Sequence, residues 1–132
     1  MVFFKKYIYY SLLIFPIISF IGGMWQGQYT NDGYHWGLIF SNALDFLDGK
    51  LPYKEIFIEY GFVSTLINAL ILTIFNKNIF SLIAATSLFY SLSIYLIGIL
   101  TYKFTLNKYY SFFATFIIFM IYPWPTSPWP NF

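Results

Sequence analysis

Hydrophobic positions along the chain gather into long apolar runs that are separated by short polar segments. A run of about 20 apolar residues crosses the ~30 Å hydrocarbon core of a bilayer as a helix. The pattern predicts spans at 7–24, 59–75, 79–100 and 107–122. Charged residues fall near the ends of these runs, whereas an ion pathway would need them at the centres. The predicted fold class is therefore all-α integral membrane, with about four transmembrane helices.

The first run, 7–24, follows Lys5 and Lys6, a basic start that also fits a cleaved signal peptide. A retained span is the favoured interpretation, because no small-x-small cleavage site precedes Trp25 and further apolar runs follow. Pro16 lies inside the run. Since proline lacks an N–H and clashes with the preceding turn, it predicts a kink there.

Residues 25–60 form the one long polar-bearing segment, and they contain all five acidic residues of the chain: Asp32, Asp45, Asp48, Glu55 and Glu59. From Tyr34 to Asp48 the residues segregate when they are placed at ~100° per residue. The apolar half holds Trp36, Ile39, Phe40, Ala43, Leu44, Phe46 and Leu47, and the polar half holds His35, Ser41, Asn42, Asp45 and Asp48, with Leu38 and Tyr34 as exceptions. This segregation predicts an interfacial amphipathic helix, with its polar half toward water. Asn31 is the predicted N-cap and Gly49 the predicted stop.

The composition agrees with a membrane protein: 59% of the residues are hydrophobic, 26% aromatic and only 9% charged. A soluble domain does not bury so large an apolar fraction. The 132 residues are consistent with a single membrane domain, 1–132, that is part of a larger one. The chain has no cysteine, which excludes disulfides and thiolate metal sites. A net charge of +2 is too small to indicate a nucleic-acid partner.

Strict alternation of four spans divides the lysines between the two sides of the membrane. It groups Lys5, Lys6 and Lys77 on one side, and Lys50, Lys54, Lys103 and Lys108 on the other. Counting these charges does not orient the chain. The N-terminal lysines usually dominate, so the loop 25–60 is predicted to lie outside the cytoplasm.

Two motifs in this loop carry a family resemblance. The order D-x-x-H-x-G begins at Asp32, and G-x-x-P-Y-x-x-x-h-x-x-Y-G runs from Gly49 to Gly61, directly into an apolar run. This arrangement resembles the first periplasmic loop of GT-C membrane glycosyltransferases, multi-spanning enzymes that transfer a sugar from a polyprenyl-phosphate carrier to an acceptor outside the cytoplasm. The resemblance covers roughly residues 7–100. It implies that the chain is the N-terminal part of such an enzyme.

The resemblance also implies a location and partners. It places the chain in the bacterial plasma (inner) membrane as a multi-pass protein, in contact with membrane lipid and a polyprenyl-phosphate sugar donor. The remaining part of a split glycosyltransferase is a further implied partner. The alternative is a small non-catalytic multi-pass membrane protein with an interaction or assembly role.

In that family an acidic residue near the start of the first outer loop is the expected catalytic base, and Asp32 matches this position. Inverting transfer needs the acceptor hydroxyl to lose its proton as it attacks the anomeric carbon, and a nearby carboxylate can accept that proton. A lipid carrier holds its phosphate at headgroup depth, so the base must lie at the membrane surface. The alternative role of Asp32 is to cap the helix and complement its dipole.

The remaining site residues are predicted to bind substrate. His35 lies one turn after Asp32, where it could orient the carboxylate, contact substrate or simply face water. Lys50 and Lys54 are candidates for the carrier phosphate, although attraction to anionic headgroups explains them equally well. The resemblance alone adds Tyr53, Glu59 and Tyr60. No metal site or cofactor is predicted, because one histidine with nearby carboxylates offers too few ligands.

Overall fold

The computed structural model describes residues 10–29 and 33–121. These residues form five α-helices and no β-strand: α1 (Ile14–Gln26), α2 (Gly33–Leu47), α3 (Phe62–Ile74), α4 (Ile79–Thr105) and α5 (Lys108–Ile121). The prediction of an all-α fold is confirmed for the described part of the chain.

An asparagine side chain accepts a backbone N–H at the start of each of the last two helices, α4 and α5. The Phe80 N–H donates to Oδ1 of Asn78 at 3.0 Å, which satisfies one of the free donors in the first turn of α4. The Tyr109 N–H donates in the same way to Oδ1 of Asn107 at 2.9 Å, at the start of α5. Between these helices, Leu106 adopts a left-handed backbone with φ +53° and ends α4. Both connections are therefore tight and locally encoded.

Pro16 lies in the first turn of α1, and the helix does not run unbroken through the predicted span 7–24. Leu12 and Leu13 adopt a turn, and α1 begins after them at Ile14. In a first turn the missing N–H of proline costs no helical hydrogen bond, because the N–H groups there have no partner within the helix. The irregularity that Pro16 predicts is thus a break just before it.

Helices α1, α4 and α5 form a bundle in which α1 and α4 run antiparallel. Gly27, at the end of α1, lies against Ile83 near the start of α4, so that a methyl group on Gly27 would stand 2.5 Å from Ile83 Cγ2. Leu12, before the start of α1, contacts Gly98 toward the end of α4. The same number of residues separates the two contacts on each helix. Two matched contacts at opposite ends fix the antiparallel direction.

This direction differs from strict alternation of four spans, which predicts α1 and α4 to be parallel. Lys77, in the turn before α4, lies at the bundle end where α1 finishes. Lys103 and Lys108, at the connection between α4 and α5, lie at the opposite end. Lys50, at the end of α2, belongs with Lys77 to the bundle end that α2 and α3 cover, whereas strict alternation groups Lys50 with Lys103. The predicted division of the lysines between the two sides of a membrane stays a prediction.

A hydrophobic core joins α2 and α3 to the first part of α4. Its buried members are Trp36, Ile39 and Ala43 from α2, Ala69, Ile71 and Leu72 from α3, and Leu82, Ile83 and Ala85 from α4. Met24, at the end of α1, packs against this core. We call α2, the segment 48–61 and α3 together the cap, because they cover the bundle end at which α1 finishes and α4 begins.

Small residues allow the bundle helices to approach closely at the other end. Ser111 Oγ of α5 donates to the carbonyl oxygen of Gly98 on α4 at 2.6 Å, and Thr115 lies directly against Gly98. Phe15 of α1 packs its ring against three rings of α5, with centroid distances of 5.1 to 5.6 Å: Phe112, Phe116 and Phe119. Contacts of glycine, serine and threonine between helices are typical of helix packing in lipid.

Within the described residues, α4 is the helix that is both long and apolar enough to cross a membrane. Its 27 residues extend about 40 Å at 1.5 Å per residue. Helices α1, α3 and α5 are apolar but have only 13, 13 and 14 residues. The outward faces of these helices present large, exposed apolar side chains.

Candidate functional site

Helix α2 has the two faces that the sequence predicts. Trp36, Ile39 and Ala43 are buried, whereas Ser41 and Asp48 are exposed. The observed bounds, Gly33–Leu47, nearly coincide with the predicted 34–48. The buried face packs on α3 and α4, so α2 holds the outer segment of the cap against the rest of the molecule.

One part of that prediction is wrong. Asn42 was predicted to lie on the water-facing half of α2, but its side chain is buried, with 7% of the residue exposed. Its Nδ2 group donates to the carbonyl oxygen of Phe57 at 2.8 Å. The segment that follows α2 folds back over this side of the helix, and a buried amide needs such a partner. The spacing offered a signal, since Asn42 stands three residues after Ile39 and four before Phe46, on the same stripe of the helix.

The end of α2 confirms the predicted stop at Gly49. This residue has φ +87°, a left-handed conformation that glycine adopts without strain. The Gly49 N–H donates to the Phe46 carbonyl at 3.1 Å, and the Lys50 N–H donates to the Asp45 carbonyl at 3.0 Å. These two bonds form a Schellman motif, which satisfies the last helical carbonyls.

An ion pair closes the same turn, because Lys50 Nζ donates to Asp45 Oδ1 at 2.6 Å. The hydrogen bond to the Asp45 carboxylate, followed by the charge of that carboxylate, raises the pKa of Lys50. Lys50 therefore serves the end of α2, and its ammonium is engaged with Asp45 in this structure.

The segment after Lys50 folds into a compact turn. The Leu51 N–H donates to Oε2 of Glu55 at 2.8 Å, and the Glu55 N–H donates to the Leu51 carbonyl at 2.9 Å. Beyond the turn, Ile56 and Ile58 point into the cap and are buried, whereas Phe57 between them is 71% exposed. This alternation is that of an extended chain with one face packed on the protein.

Tyr53 connects this turn to the start of α3. Its backbone has φ +61°, and its hydroxyl oxygen accepts the N–H of Phe62 at 3.1 Å. The first N–H groups of a helix have no helical partner, so the phenol satisfies one of them. Gly61, with φ +86°, turns the chain into α3. Tyr53, predicted to bind substrate, thus has a structural partner in the cap.

His35 and Tyr60 come together although they belong to different motifs of the sequence. The two ring centroids lie 5.9 Å apart with the planes tilted by 48°. Tyr34 approaches the imidazole from another direction, edge to face, at 5.2 Å. Both His35 and Tyr60 are half-buried. The start of α2 and the end of the 49–61 motif therefore meet at one place, which we call the His35 site.

The other predicted site residues are not assembled around this place. Lys50 is paired with Asp45, which lies ten residues after His35 on α2, or about 15 Å along the helix axis. Lys54 and Glu59 are exposed on the segment 48–61. The predicted catalytic residue Asp32 and the predicted N-cap Asn31 lie outside the described residues. In the ranges 10–29 and 33–121 no three histidine, aspartate or glutamate side chains come together as metal ligands.

Exposed aromatic side chains surround the cap. Five of them, each more than half exposed, lie at the end of α1, at the start of α2 or in the segment after α2: Trp25, Tyr29, Tyr34, Tyr53 and Phe57. Trp25 and Tyr29 pack edge to face, with ring centroids 5.4 Å apart. Aromatic rings of this kind collect at the boundary between lipid and water.

No protein-family model, curated protein or solved structure matches the chain. The chemistry of the His35 site is therefore argued from its residues and their geometry.

Proposed function

We propose that the chain is the N-terminal, membrane-embedded segment of a glycosyltransferase that moves a sugar from a polyprenyl-phosphate carrier to an acceptor outside the cytoplasm. The observation that carries the proposal is the contact between His35 and Tyr60. His35 belongs to the motif D-x-x-H-x-G, and Tyr60 belongs to the motif that ends in Y-G. A contact between the two supports a shared role for both motifs in one site.

The membrane part of the proposal is supported by where the charges lie. Apart from Lys103 in its last turn, α4 carries no charged residue along its 27 residues. The outward surfaces of α1, α4 and α5 are apolar and exposed, and rings suited to the lipid boundary surround the cap. A bilayer removes these apolar surfaces from water, while the charged cap remains at its surface.

The proposed chemistry needs a base, a place for the sugar and a positive charge for the phosphate. Only Gly33 and Tyr34 separate Asp32 from His35 in the sequence. In the proposed reaction the Asp32 carboxylate accepts the proton of the acceptor hydroxyl as its oxygen bonds to the anomeric carbon. The bond from that carbon to the phosphate oxygen breaks, and the lipid phosphate leaves with the electron pair.

The two lysines that are candidates for that phosphate differ in their partners. Lys50 is paired with Asp45, whereas Lys54 is exposed on the outer side of the cap. Lys54 is therefore the remaining lysine candidate for the phosphate contact, although it is not part of the His35 site itself. His35 and Tyr60 offer aromatic faces and polar atoms against which a sugar can lie.

The test replaces Asp32 by Asn in the enzyme reassembled with its remaining part. Asn is about as good an N-terminal capping residue as Asp, so the start of α2 should be retained. Loss of a general base should lower the transfer rate by ~10²- to 10⁴-fold. Loss of a helix-dipole interaction alone would cost only about 0.3 to 1 kcal/mol of stability. The measurement is transfer of labelled sugar from the lipid carrier, at equal membrane abundance of the two proteins.

Asp48→Asn is the matched control, because Asp48 is an exposed carboxylate just beyond the far end of α2. It should keep the wild-type transfer rate. Wild-type transfer by Asp32→Asn would refute the assigned base. A reassembled protein that transfers no sugar at all would favour the non-catalytic alternative.

A further inference from the structure

We propose that the described part of the chain crosses the membrane three times, through α1, α4 and α5, and that the cap lies in the lipid boundary on one side without crossing. The proposal rests on the membrane embedding proposed above, but not on glycosyl transfer. It makes α3 a surface helix whose exposed apolar stripe contacts lipid, although the sequence pattern predicts a span at 59–75.

The first argument is the direction of α1 and α4. Gly27 at the end of α1 contacts Ile83 near the start of α4, and Leu12 contacts Gly98 at the other end of the pair. The chain thus leaves the bundle and re-enters it at the same end. A single crossing by α3 between these two points would bring the chain to the opposite side. No net crossing occurs between α1 and α4, so α3 stays on the side of the cap.

The second argument is the length of α3. Its 13 residues extend about 20 Å, whereas the hydrocarbon core of a bilayer is about 30 Å thick. The preceding residues do not lengthen it, because Ile56 and Ile58 are buried within the cap and Gly61 turns the chain with φ +86°. Helices α1 and α5 are equally short, with 13 and 14 residues. Helix α1 nevertheless packs along α4 from Ile83 to Gly98, whereas α3 meets only the first part of α4. The short length of α3 and its position at one end of α4 together set it apart.

The third argument is the surface that α3 leaves uncovered. Thr65, Ala69 and Leu72 are buried against the neighbouring helices. The opposite side presents an exposed apolar stripe at helical spacing: Val63, Leu66, Ile67, Leu70 and Ile74. Such a stripe on a helix beside exposed aromatic rings fits the acyl boundary just below the headgroups. Helix α4 also exposes large apolar side chains. In the proposed arrangement lipid covers the exposed surfaces of both α3 and α4.

The distribution of charged residues indicates on which side of the membrane the cap lies. All acidic residues within the described ranges lie in the cap: Asp45, Asp48, Glu55 and Glu59. At the far end of the bundle, the described connection between α4 and α5 carries Lys103 and Lys108 and no acidic residue. Lysines beside a span favour the cytoplasmic side, whereas acidic residues contribute little. The cap side carries Lys50, Lys54 and Lys77, and the other side carries Lys103 and Lys108 together with Lys5 and Lys6, which precede α1 in the sequence. The N-terminal lysines usually dominate the orientation. The cap is therefore placed outside the cytoplasm.

Single-cysteine labelling tests the proposal. The natural chain has no cysteine, so that any label on it reports the introduced residue. Three exposed lysines are replaced one at a time: Lys54→Cys in the cap, Lys77→Cys before α4 and Lys108→Cys at the start of α5. Intact cells are treated with a membrane-impermeant maleimide before and after permeabilisation. We expect Lys54→Cys and Lys77→Cys to react in intact cells, and Lys108→Cys to react only after permeabilisation.

Strict alternation of four spans gives a different result, with positions 54 and 108 on one side and position 77 on the other. Protection of Lys77→Cys under conditions that label Lys54→Cys would therefore overturn the proposal, as would labelling of Lys108→Cys in intact cells. Release of the chain from membranes by alkaline carbonate would overturn the proposed function and this proposal together. The expected labelling together with no transferase activity of the natural chain after reassembly would overturn only the proposed function.

A depth measurement tests the position of α3 separately. Spin labels are placed at Leu70 on the exposed stripe of α3, at Phe89 on the exposed side of α4, and at Ser41 on the polar face of α2. Relaxation by oxygen and by a water-soluble nickel chelate reports depth in a bilayer. Leu70 should lie shallower than Phe89, and Ser41 should lie in water. Equal depths for Leu70 and Phe89 would identify α3 as a span and overturn the proposal.

Discussion

Replacing Gly98 by alanine probes the closest crossing in the bundle. A methyl group on Gly98 would lie well inside the contact distance of Thr115 Oγ1 and 3.3 Å from both δ carbons of Leu12. Thr115 is fully buried, and its hydroxyl donates to the Ser111 carbonyl at 2.9 Å, so it cannot turn away without losing that bond. The helices must therefore separate, or Thr115 must change its conformation.

The magnitude follows from two opposing effects. Overpacking a close-packed site typically costs about 1–3 kcal/mol. Alanine in place of glycine within a helix otherwise contributes roughly 0.5–1 kcal/mol of stability. We expect the steric cost to dominate at Gly98, because one neighbouring atom is buried and hydrogen-bonded and two more already lie close. Gly98→Ala should lower the free energy of unfolding.

Gly37→Ala is the matched control, since Gly37 lies within α2 and a methyl group there would meet nothing within 4 Å. It should raise stability by roughly 0.5–1 kcal/mol. The assay is equilibrium unfolding in mixed micelles followed by far-ultraviolet circular dichroism, with both variants measured in parallel. Opposite signs for the two substitutions are the expected result.

A second substitution identifies the clashing atom. Thr115→Ala removes the hydroxyl that faces Gly98, so in the Gly98→Ala background it should restore part of the lost stability. A gain in stability from Gly98→Ala alone would refute the close crossing at this position. A double variant in which the two losses simply add would refute the role of Thr115 in it.

Three further changes test the cap. Asn42→Leu should cost about 1–3 kcal/mol, because it leaves the Phe57 carbonyl without its buried donor; unchanged unfolding and protease resistance would contradict this. Gly49→Ala should lower the melting temperature, since a left-handed backbone costs an L-residue roughly 1–2 kcal/mol; an unaltered melt would count against the Schellman end of α2. The raised pKa of Lys50 means that its bond to Asp45 stabilises the fold below the ordinary lysine pKa and is lost as pH rises through the raised value. Asp45→Asn should therefore weaken the loss of stability at alkaline pH, and an identical pH profile would argue against the ion pair.

Features that depend on neighbouring residues in the sequence were predicted closely. Helix α2 follows from the segregation of apolar and polar positions, and its end follows from the glycine at position 49. The start of α4 matches the predicted residue 79, because Asn78 caps it locally. In each case the signal and the structure lie within a few residues of each other.

Features that depend on contacts between distant segments were not predicted in the same way. The burial of Asn42 requires the segment after α2 to fold back over the helix, which no local pattern specifies. Neither the contact of His35 with Tyr60 nor the engagement of Lys50 by Asp45 was predicted from the sequence. An exposed lysine and a paired one look identical in the sequence.

The direction of the helices shows why hydrophobic length alone does not determine topology. The run 59–75 has the composition of a span, and counting it as one reverses every later helix. Its apolar residues nevertheless divide between two surfaces, one packed on α2 and α4 and one left exposed, within only 13 helical residues. The pairing of Leu12 with Gly98 and of Gly27 with Ile83 then determines the direction of α4, because glycine permits a close approach only where the facing residue fits. The direction of α4 relative to α1 is therefore encoded in the small residues where the helices cross, which a count of apolar residues does not register.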